Sequence, residues 1–243
     1  MTQNIYITDL EKALNYVDSS YVTFDTYIGL SKDEKISDSQ FFTSMLNEPY
    51  VDAYILQFLE SQKRIKEHSL ERNFCYQLYY TWQTIIKRNN NKTYDSLKLN
   101  GEVSKTNLIL ALKSYPKLKN TGLFEKIKTN GLLEKTYFVP DLVLHGGQDD
   151  INNQKLIVEV KYGDNLKNGN FETDFYKLAV YQKIYQFTDC VFLIVNITLN
   201  DLLDYLKEVD TNLVDKAGLW FMIKSAHETK TYNLNDLVKM TTK

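Results

Sequence analysis

Two short apolar runs that contain isolated charges constrain the fold of this chain more than any other feature. TYFVPDLVLH (residues 136–145) and KLIVEVKY (residues 155–162) are joined by GGQDDINNQ. Short apolar runs bounded by turn signals are typical of buried strands, and Gly, Asp and Asn favour turns. The pattern therefore predicts a β-hairpin. Charges inside such runs need a reason, because burying a charge is costly unless it is paired or binds a metal.

The charges in the two runs are Asp141, Glu159 and Lys161. Side chains alternate across a strand, so Glu159 and Lys161 are expected on one face and Val158 and Val160 on the other. A hairpin places Asp141 on the neighbouring strand, about 5 Å away. We therefore expect the three charges to meet at one point. The alternative is an edge strand whose charges face water and prevent aggregation.

Pro140-Asp141 followed by Glu159-Val160-Lys161 resembles the signature of the PD-(D/E)XK superfamily of phosphodiester-cleaving enzymes. The resemblance implies that Asp141 and Glu159 bind Mg²⁺ or Mn²⁺, with the backbone carbonyl of Val160 as a further ligand, and that Lys161 positions or activates the attacking water. It also implies a restriction-endonuclease-like α/β fold, in which helices flank a mixed sheet. Such chemistry suits these residue types, because hard carboxylate oxygens hold Mg²⁺ beside an anionic phosphodiester.

A helix predicted at about 69–88 supplies a further acid. Phe74, Leu78 and Trp82 form an apolar stripe along it, and Glu71 lies on the same stripe near its start. Many members of the superfamily use such an N-terminal glutamate, so the resemblance implies that Glu71 is an auxiliary catalytic acid and metal ligand. The alternative is an exposed glutamate that is favoured at a helix start by the helix dipole.

The segment FETDFYKLAVYQKIY (residues 171–185) resembles the helix that follows the active site in RecB-like members. That helix usually carries Gln-x-x-x-Tyr. Here Lys177 stands at the glutamine position and Tyr181 at the tyrosine position. The spacing of four puts both side chains on one helix face, where they would contact a phosphate and a sugar or base of the substrate. For Tyr181, packing against the sheet is the alternative.

The remaining patterns predict further helices and strands, and they suggest how the chain is organised. Residues 1–66 are expected to form an N-terminal helical extension, and residues 67–243 a nuclease-like domain with an insertion near 105–130, where the pattern is unclear. Capping-box spacings predict helices that begin near 9 and 38. The other expected elements are a short strand in SLKLNGEV (96–103), a helix at about 171–187, a strand CVFLIVN (190–196), a helix after Thr198 and a final strand GLWFMIK (218–224).

Charge is distributed unevenly along the chain, although its net charge is only −2. Residues 1–60 contain 3 Lys/Arg and 10 Asp/Glu, whereas residues 61–135 contain 15 and 6. A basic segment beside an acidic site suits a polyanionic substrate such as DNA. Solvated helix faces are the alternative.

No apolar run is long enough to cross a bilayer, so the expected location is the cytoplasm. Cys75 and Cys190 lie in apolar segments and are expected to be buried thiols. The resemblance to the PD-(D/E)XK superfamily implies a metal-dependent nuclease that acts on DNA. No membrane partner is expected, and a homodimer stays open. The alternative is a catalytically inactive nuclease-like module that binds nucleic acid or protein.

Overall fold

The computed structural model describes residues 4–22, 71–88, 92–102, 108, 112, 115–135, 138–147, 151–167 and 169–241. Within these ranges the chain forms one mixed six-stranded sheet in the order β1-β2-β3-β4-β5-β6. The strands are β1 (Lys98–Gly101), β2 (Leu142–His145), β3 (Gln154–Tyr162), β4 (Asp189–Val195), β5 (Leu219–Lys224) and β6 (Thr229–Asn233). Strands β3, β4 and β5 are parallel, and the other neighbouring strands pair antiparallel.

Helices cover both faces of the sheet, which confirms the expected α/β class with a mixed sheet and flanking helices. They are α1 (Ile5–Asn15), α2 (the helical residues 71–88), α3 (Gly122–Thr129), α4 (Asn170–Lys183), α5 (Leu199–Leu206) and α6 (Leu234–Thr241). Short 3₁₀ turns lie at Ser19–Tyr21, Lys92–Tyr94, Pro116–Asn120, Leu132–Glu134, Ile151–Asn153, Gly163–Leu166 and Thr211–Leu213. No helix in the described ranges is long and apolar enough to cross a membrane.

The predicted hairpin is confirmed, because β2 and β3 pair antiparallel with Leu142 opposite Val158. The Gly146 N–H donates to the carbonyl oxygen of Asn153, which closes the connection. β4 is buried at every residue and is apolar after Asp189, its first residue. Such a continuous run is typical of a parallel strand that is covered on both faces.

The two faces of the sheet carry separate hydrophobic cores. Val158 and Val160 pack with α1 and α2, where the stripe of Phe74, Leu78 and Trp82 is fully buried. Ile157 packs on the opposite face with α3, α4, α5 and α6. The alternation predicted for β3 is therefore confirmed.

The segment 105–130 had no clear sequence pattern, and its described residues (108, 112 and 115–130) contribute to the second of these cores. Leu108 and Leu112 are helical and buried there, and α3 adds Leu123 and Ile127. The Thr121 side chain accepts a hydrogen bond from the Phe124 N–H and so caps α3. This part of the chain therefore packs against α4.

Two predictions about the elements are wrong, one on the start of α1 and one on which strand is the last. α1 begins four residues before the predicted start, because the side chain of Asn4 caps it by accepting hydrogen bonds from the N–H groups of Tyr6 and Ile7. GLWFMIK is not the final strand, since β6 and α6 follow it. The helix predicted near 38 lies outside the described residues.

Candidate active site

Asp141 and Glu159 lie opposite each other at one end of the β2–β3 hairpin. Leu142 pairs with Val158, and the next residue outward on each strand is one of the two acids. The Val160 N–H donates a 2.7 Å hydrogen bond to Asp141 Oδ2, which holds this carboxylate against β3. The N–H and C=O of a strand residue point to the same side, so the carbonyl of Val160 also points toward Asp141.

Glu159 is buried and paired with a lysine from α4. Lys177 Nζ lies 2.7 Å from Glu159 Oε2 and 3.4 Å from the carbonyl oxygen of Val139. The second carboxylate oxygen, Oε1, is also buried and accepts no well-oriented hydrogen bond among the described residues, although the Tyr181 hydroxyl lies close to this carboxylate. Glu159 therefore has one oxygen neutralised by an ammonium group and a second that no cation contacts.

Lys161 joins the hairpin to α2. Its Nζ lies 3.1 Å from Glu71 Oε1, and both side chains are largely buried. Burial alone would lower the pKa of Lys161, but the negative charges of Glu71, Asp174 and Asp141 outweigh it and raise this pKa. Lys161 is therefore protonated at neutral pH, and it acts as a cation and hydrogen-bond donor rather than as a base.

Negative charge is concentrated around Asp141. Burial raises the pKa of Asp141, the charge of Glu159 raises it further, and Lys161 and the hydrogen bond from Val160 act in the opposite direction, so that this pKa lies at about 7. The Asp141 carboxyl therefore loses its proton close to neutral pH rather than in the acidic range usual for aspartate. A pocket of about 340 Å³ gives access to Asp141 from solvent; it is lined by Cys75, Tyr76, Tyr79, Gly101, Glu102, Asp141 and Leu142.

A fourth acid, Asp174, forms one cluster with Asp141, Glu159, Glu71 and the two lysines. It lies in the segment that resembles the RecB-like helix, but no site role was predicted for it. It is buried on α4, one turn before Lys177. Burial raises its pKa, Lys161 lowers it and Glu159 raises it again, so its carboxylate lies near both of these groups. The available sequence signal was the spacing of three residues between Asp174 and Lys177, which puts them on one helix face.

Tyr181 lies deeper than the rest of the cluster. It is fully buried, and its ring packs edge-on against Phe138 at a centroid distance of 6.0 Å. Burial and the charge of Glu159 raise the pKa of its hydroxyl well above the usual value. Tyr181 therefore packs against the sheet, as one of the two interpretations of the sequence expected. Its predicted contact with a substrate sugar or base stays a prediction. Lys177 also faces the cluster, so its contact with a phosphate remains a prediction too.

The charges of the cluster suit a divalent cation. Among the described residues, four carboxylates (Glu71, Asp141, Glu159 and Asp174) lie near two ammonium groups (Lys161 and Lys177), and Lys135 also acts on Asp174, which leaves one excess negative charge when all are ionised. In the described ranges, no group of three or more His, Cys, Asp or Glu side chains is placed to hold a metal ion by itself. Mg²⁺ does not need one, because it is usually held by one or two carboxylates together with waters and substrate phosphates. The residues therefore fit such an ion.

No family model, curated protein or solved structure matches the chain. Its function therefore has to be inferred from the chemistry of the cluster itself.

Proposed function

We propose that this chain is a Mg²⁺- or Mn²⁺-dependent nuclease that hydrolyses DNA phosphodiester bonds, with a site of the PD-(D/E)XK type on a restriction-endonuclease-like core. One observation carries the proposal. Asp141 and Glu159 face each other across the end of a hairpin, and Lys161 belongs to the same cluster of buried charges. An edge strand with water-facing charges does not account for this burial, because Glu159 is almost completely removed from solvent.

Each residue of the cluster has a role that follows from its position. Asp141 and Glu159 Oε1 would hold the cation, with the carbonyl of Val160 as a further oxygen donor and Glu71 as an auxiliary acid. The bound cation would neutralise the phosphate and acidify a water molecule. Lys161 remains protonated, so it would orient that water or stabilise the charge that develops on the phosphate. Asp174 keeps Lys161 charged and in place.

The pairing of Lys177 with Glu159 favours a second candidate function. An ammonium group already neutralises one of the two central acids, and a module that has lost turnover would tolerate this arrangement. Such a module would bind nucleic acid or protein without cleaving it. The excess negative charge that remains around Asp141 supports the nuclease instead, because an inactive module gains nothing from a costly cluster of buried carboxylates.

The test is incubation of the full chain with end-labelled linear DNA, both duplex and single-stranded, in Mg²⁺, in Mn²⁺ and in EDTA. We expect shortened products with either metal and none in EDTA. Lys161→Ala should abolish cleavage, because it removes the positive charge beside the scissile phosphate. Lys207→Ala serves as the matched control, since this lysine is exposed and lies on the short turn after α5.

Metal binding is measured separately from cleavage. A site that binds only the folded state raises the melting temperature by mass action, so Mn²⁺ should stabilise the wild type and Lys161→Ala alike. Cleavage that persists at wild-type rate in Lys161→Ala would refute the proposed mechanism. Stabilisation by Mn²⁺ without any cleavage would instead favour the inactive module.

A further inference from the structure

Exposed aromatic side chains are concentrated on one surface, next to the acid cluster. Among the described residues, the three most exposed large apolar side chains are Tyr16 (72%), Tyr80 (66%) and Tyr76 (57%). Tyr76 and Tyr80 lie one turn apart on α2, and Tyr16 follows α1. Exposed rings that lie next to one another form an apolar patch of the kind that marks binding surfaces, whereas single exposed rings are common on any protein.

The solvent-facing side of α2 also carries positive charge. At 3.6 residues per turn, Arg72, Tyr76, Tyr80 and Lys87 fall within one sector of roughly 80° around the helix axis. This sector lies opposite the buried stripe that packs on the sheet. Glu71 is the only acid in residues 71–88, and its carboxylate is paired with Lys161. The exposed face of α2 is therefore basic and aromatic.

Two pockets flank this face. The pocket that reaches Asp141 includes Tyr76 in its lining. A second pocket, of about 320 Å³, lies on the other flank between α1 and α2, and it includes Tyr80; its lining is Lys12, Tyr16, Tyr80, Thr81, Thr84, Ile85 and Arg88. A flexible chain that crosses α2 over the two tyrosines would therefore have one end at Asp141 and the other between Lys12 and Arg88.

The carboxylates that already pair with cations on this surface compete only weakly with the phosphates of a polyanion for those cations. Arg72 and Glu102 approach only to 3.9 Å, and both side chains are largely exposed. Exposed pairs of this kind contribute little stability, so a phosphate can replace the carboxylate at low cost. Lys12 lies 3.0 Å from Asp9, and its side chain is more than half exposed. Both cations can therefore turn toward a ligand.

We propose that Tyr16, Tyr76 and Tyr80, together with Lys12, Arg72, Lys87 and Arg88, form a surface that binds single-stranded DNA and leads it to the acid cluster at Asp141. Rings with adjacent cations are the combination that binds unpaired nucleotides, because bases stack on the rings and phosphates contact the cations. Paired bases are already stacked inside a duplex, so protruding tyrosines gain nothing from them. The binding surface depends on the proposed nuclease function only for its end point at Asp141.

The experiment measures binding without cleavage. The full chain is titrated, in EDTA, into a fluorescein-labelled oligothymidylate of about 20 nucleotides, which exceeds the usual site size of one binding module. Fluorescence anisotropy gives the dissociation constant. We expect Tyr80→Ala and Tyr76→Ala each to weaken binding roughly tenfold, because each variant removes the ring on which one base stacks. Tyr80→Trp should retain binding, since it keeps an aromatic face.

Two controls separate stacking from general effects. Met240→Ala removes an exposed apolar side chain on α6, away from the tyrosines in sequence, and should leave binding unchanged. Arg88→Ala should lower the slope of log affinity against log salt by about 0.7, the value for one phosphate contact on a single strand. Unlabelled duplex of the same length should compete poorly.

The proposal is overturned if Tyr76→Ala/Tyr80→Ala binds the oligonucleotide as tightly as the wild type, or if duplex competes equally well. Undetectable binding by the wild type also overturns it. Tyrosine-dependent binding that is followed by no cleavage in Mg²⁺ or Mn²⁺ would refute the nuclease and leave the binding surface standing. Cleavage at wild-type rate by Tyr76→Ala/Tyr80→Ala would support the nuclease and show that the tyrosines do not lead DNA to Asp141.

Discussion

Replacing Asp141 by asparagine tests whether the cluster holds the excess negative charge that a metal site requires. Asparagine has nearly the same shape, and its side-chain oxygen can still accept the hydrogen bond from the Val160 N–H. The substitution therefore removes the charge and the titration of this side chain but keeps its main contact. Any change in the pH dependence of stability can then be assigned to the carboxylate.

The expected magnitude follows from the pKa of Asp141, which burial, together with the charge of Glu159, raises from 3.8 to about 7. Each unit of pKa difference between the folded and unfolded states corresponds to about 1.4 kcal/mol, so the shift amounts to about 4 kcal/mol as an upper limit. The Asp141 carboxyl therefore binds its proton more tightly in the folded state than in the unfolded state. Its contribution to stability is therefore complete below about pH 4 and is lost as the pH rises to about 7.

The assay is urea denaturation of both proteins in EDTA, from about pH 4.5 to about pH 8, a range that spans the shift. The free energy of unfolding of Asp141→Asn, minus that of the wild type, should increase with pH and level off near pH 8. Asp204→Asn is the matched control, because Asp204 is exposed on α5, and its difference should stay nearly constant. A constant difference for Asp141→Asn as well would refute the electrostatic account of the cluster.

Adding Mn²⁺ should offset the loss of stability that the wild type shows at high pH. A bound cation favours the ionised carboxylate, so the wild type at about pH 8 should gain stability with Mn²⁺ by mass action. Asp141→Asn should gain much less, because one of the two central oxygen donors has lost its charge. Equal stabilisation of both proteins would show that Mn²⁺ binds elsewhere.

Three further outcomes follow from individual contacts. Lys177→Gln should raise the affinity for Mn²⁺ roughly tenfold in calorimetric titration, because it removes the ammonium group from Glu159, whereas Lys183→Gln on the exposed side of the same helix should not. Thr198→Ala should lower the free energy of unfolding by about 1 kcal/mol, because it removes the capping box of α5, and Thr198→Ser should restore it. Asn4→Ala should cost about 1–2 kcal/mol, since Asn4 both caps α1 and donates a 2.8 Å hydrogen bond to Asp189; a smaller loss in denaturation would contradict this assignment.

Local patterns predicted the central strands well, because burial and strand periodicity leave a direct record in the sequence. The hairpin and β4 were recognisable as apolar runs between turn residues. β6 was missed for the converse reason. Its sequence, TKTYN, is polar and only half-buried at the edge of the sheet, so it lacks the apolar alternation by which strands are identified.

The three charged residues of the hairpin were easier to predict from the sequence than the residues of α4 that lie beside them. Asp141, Glu159 and Lys161 stood out because charges are rare inside apolar runs. Lys177 pairs with Glu159 instead of facing outward because of the way α4 packs on the sheet. The spacing of residues along one helix does not predict such a tertiary contact. The same limit applies to Asp174, whose position beside Lys161 arises only from tertiary packing.

The hairpin also bears on the order in which the charges come together while the chain folds. Contacts between residues that are close in sequence form sooner, because less chain entropy is lost on closing a short loop. Only seventeen residues separate Asp141 from Glu159, whereas β4 can join the sheet only after the whole of α4 has crossed over it. Asp141 and Glu159 are therefore expected to become neighbours when the hairpin pairs, before α4 brings Lys177 to Glu159.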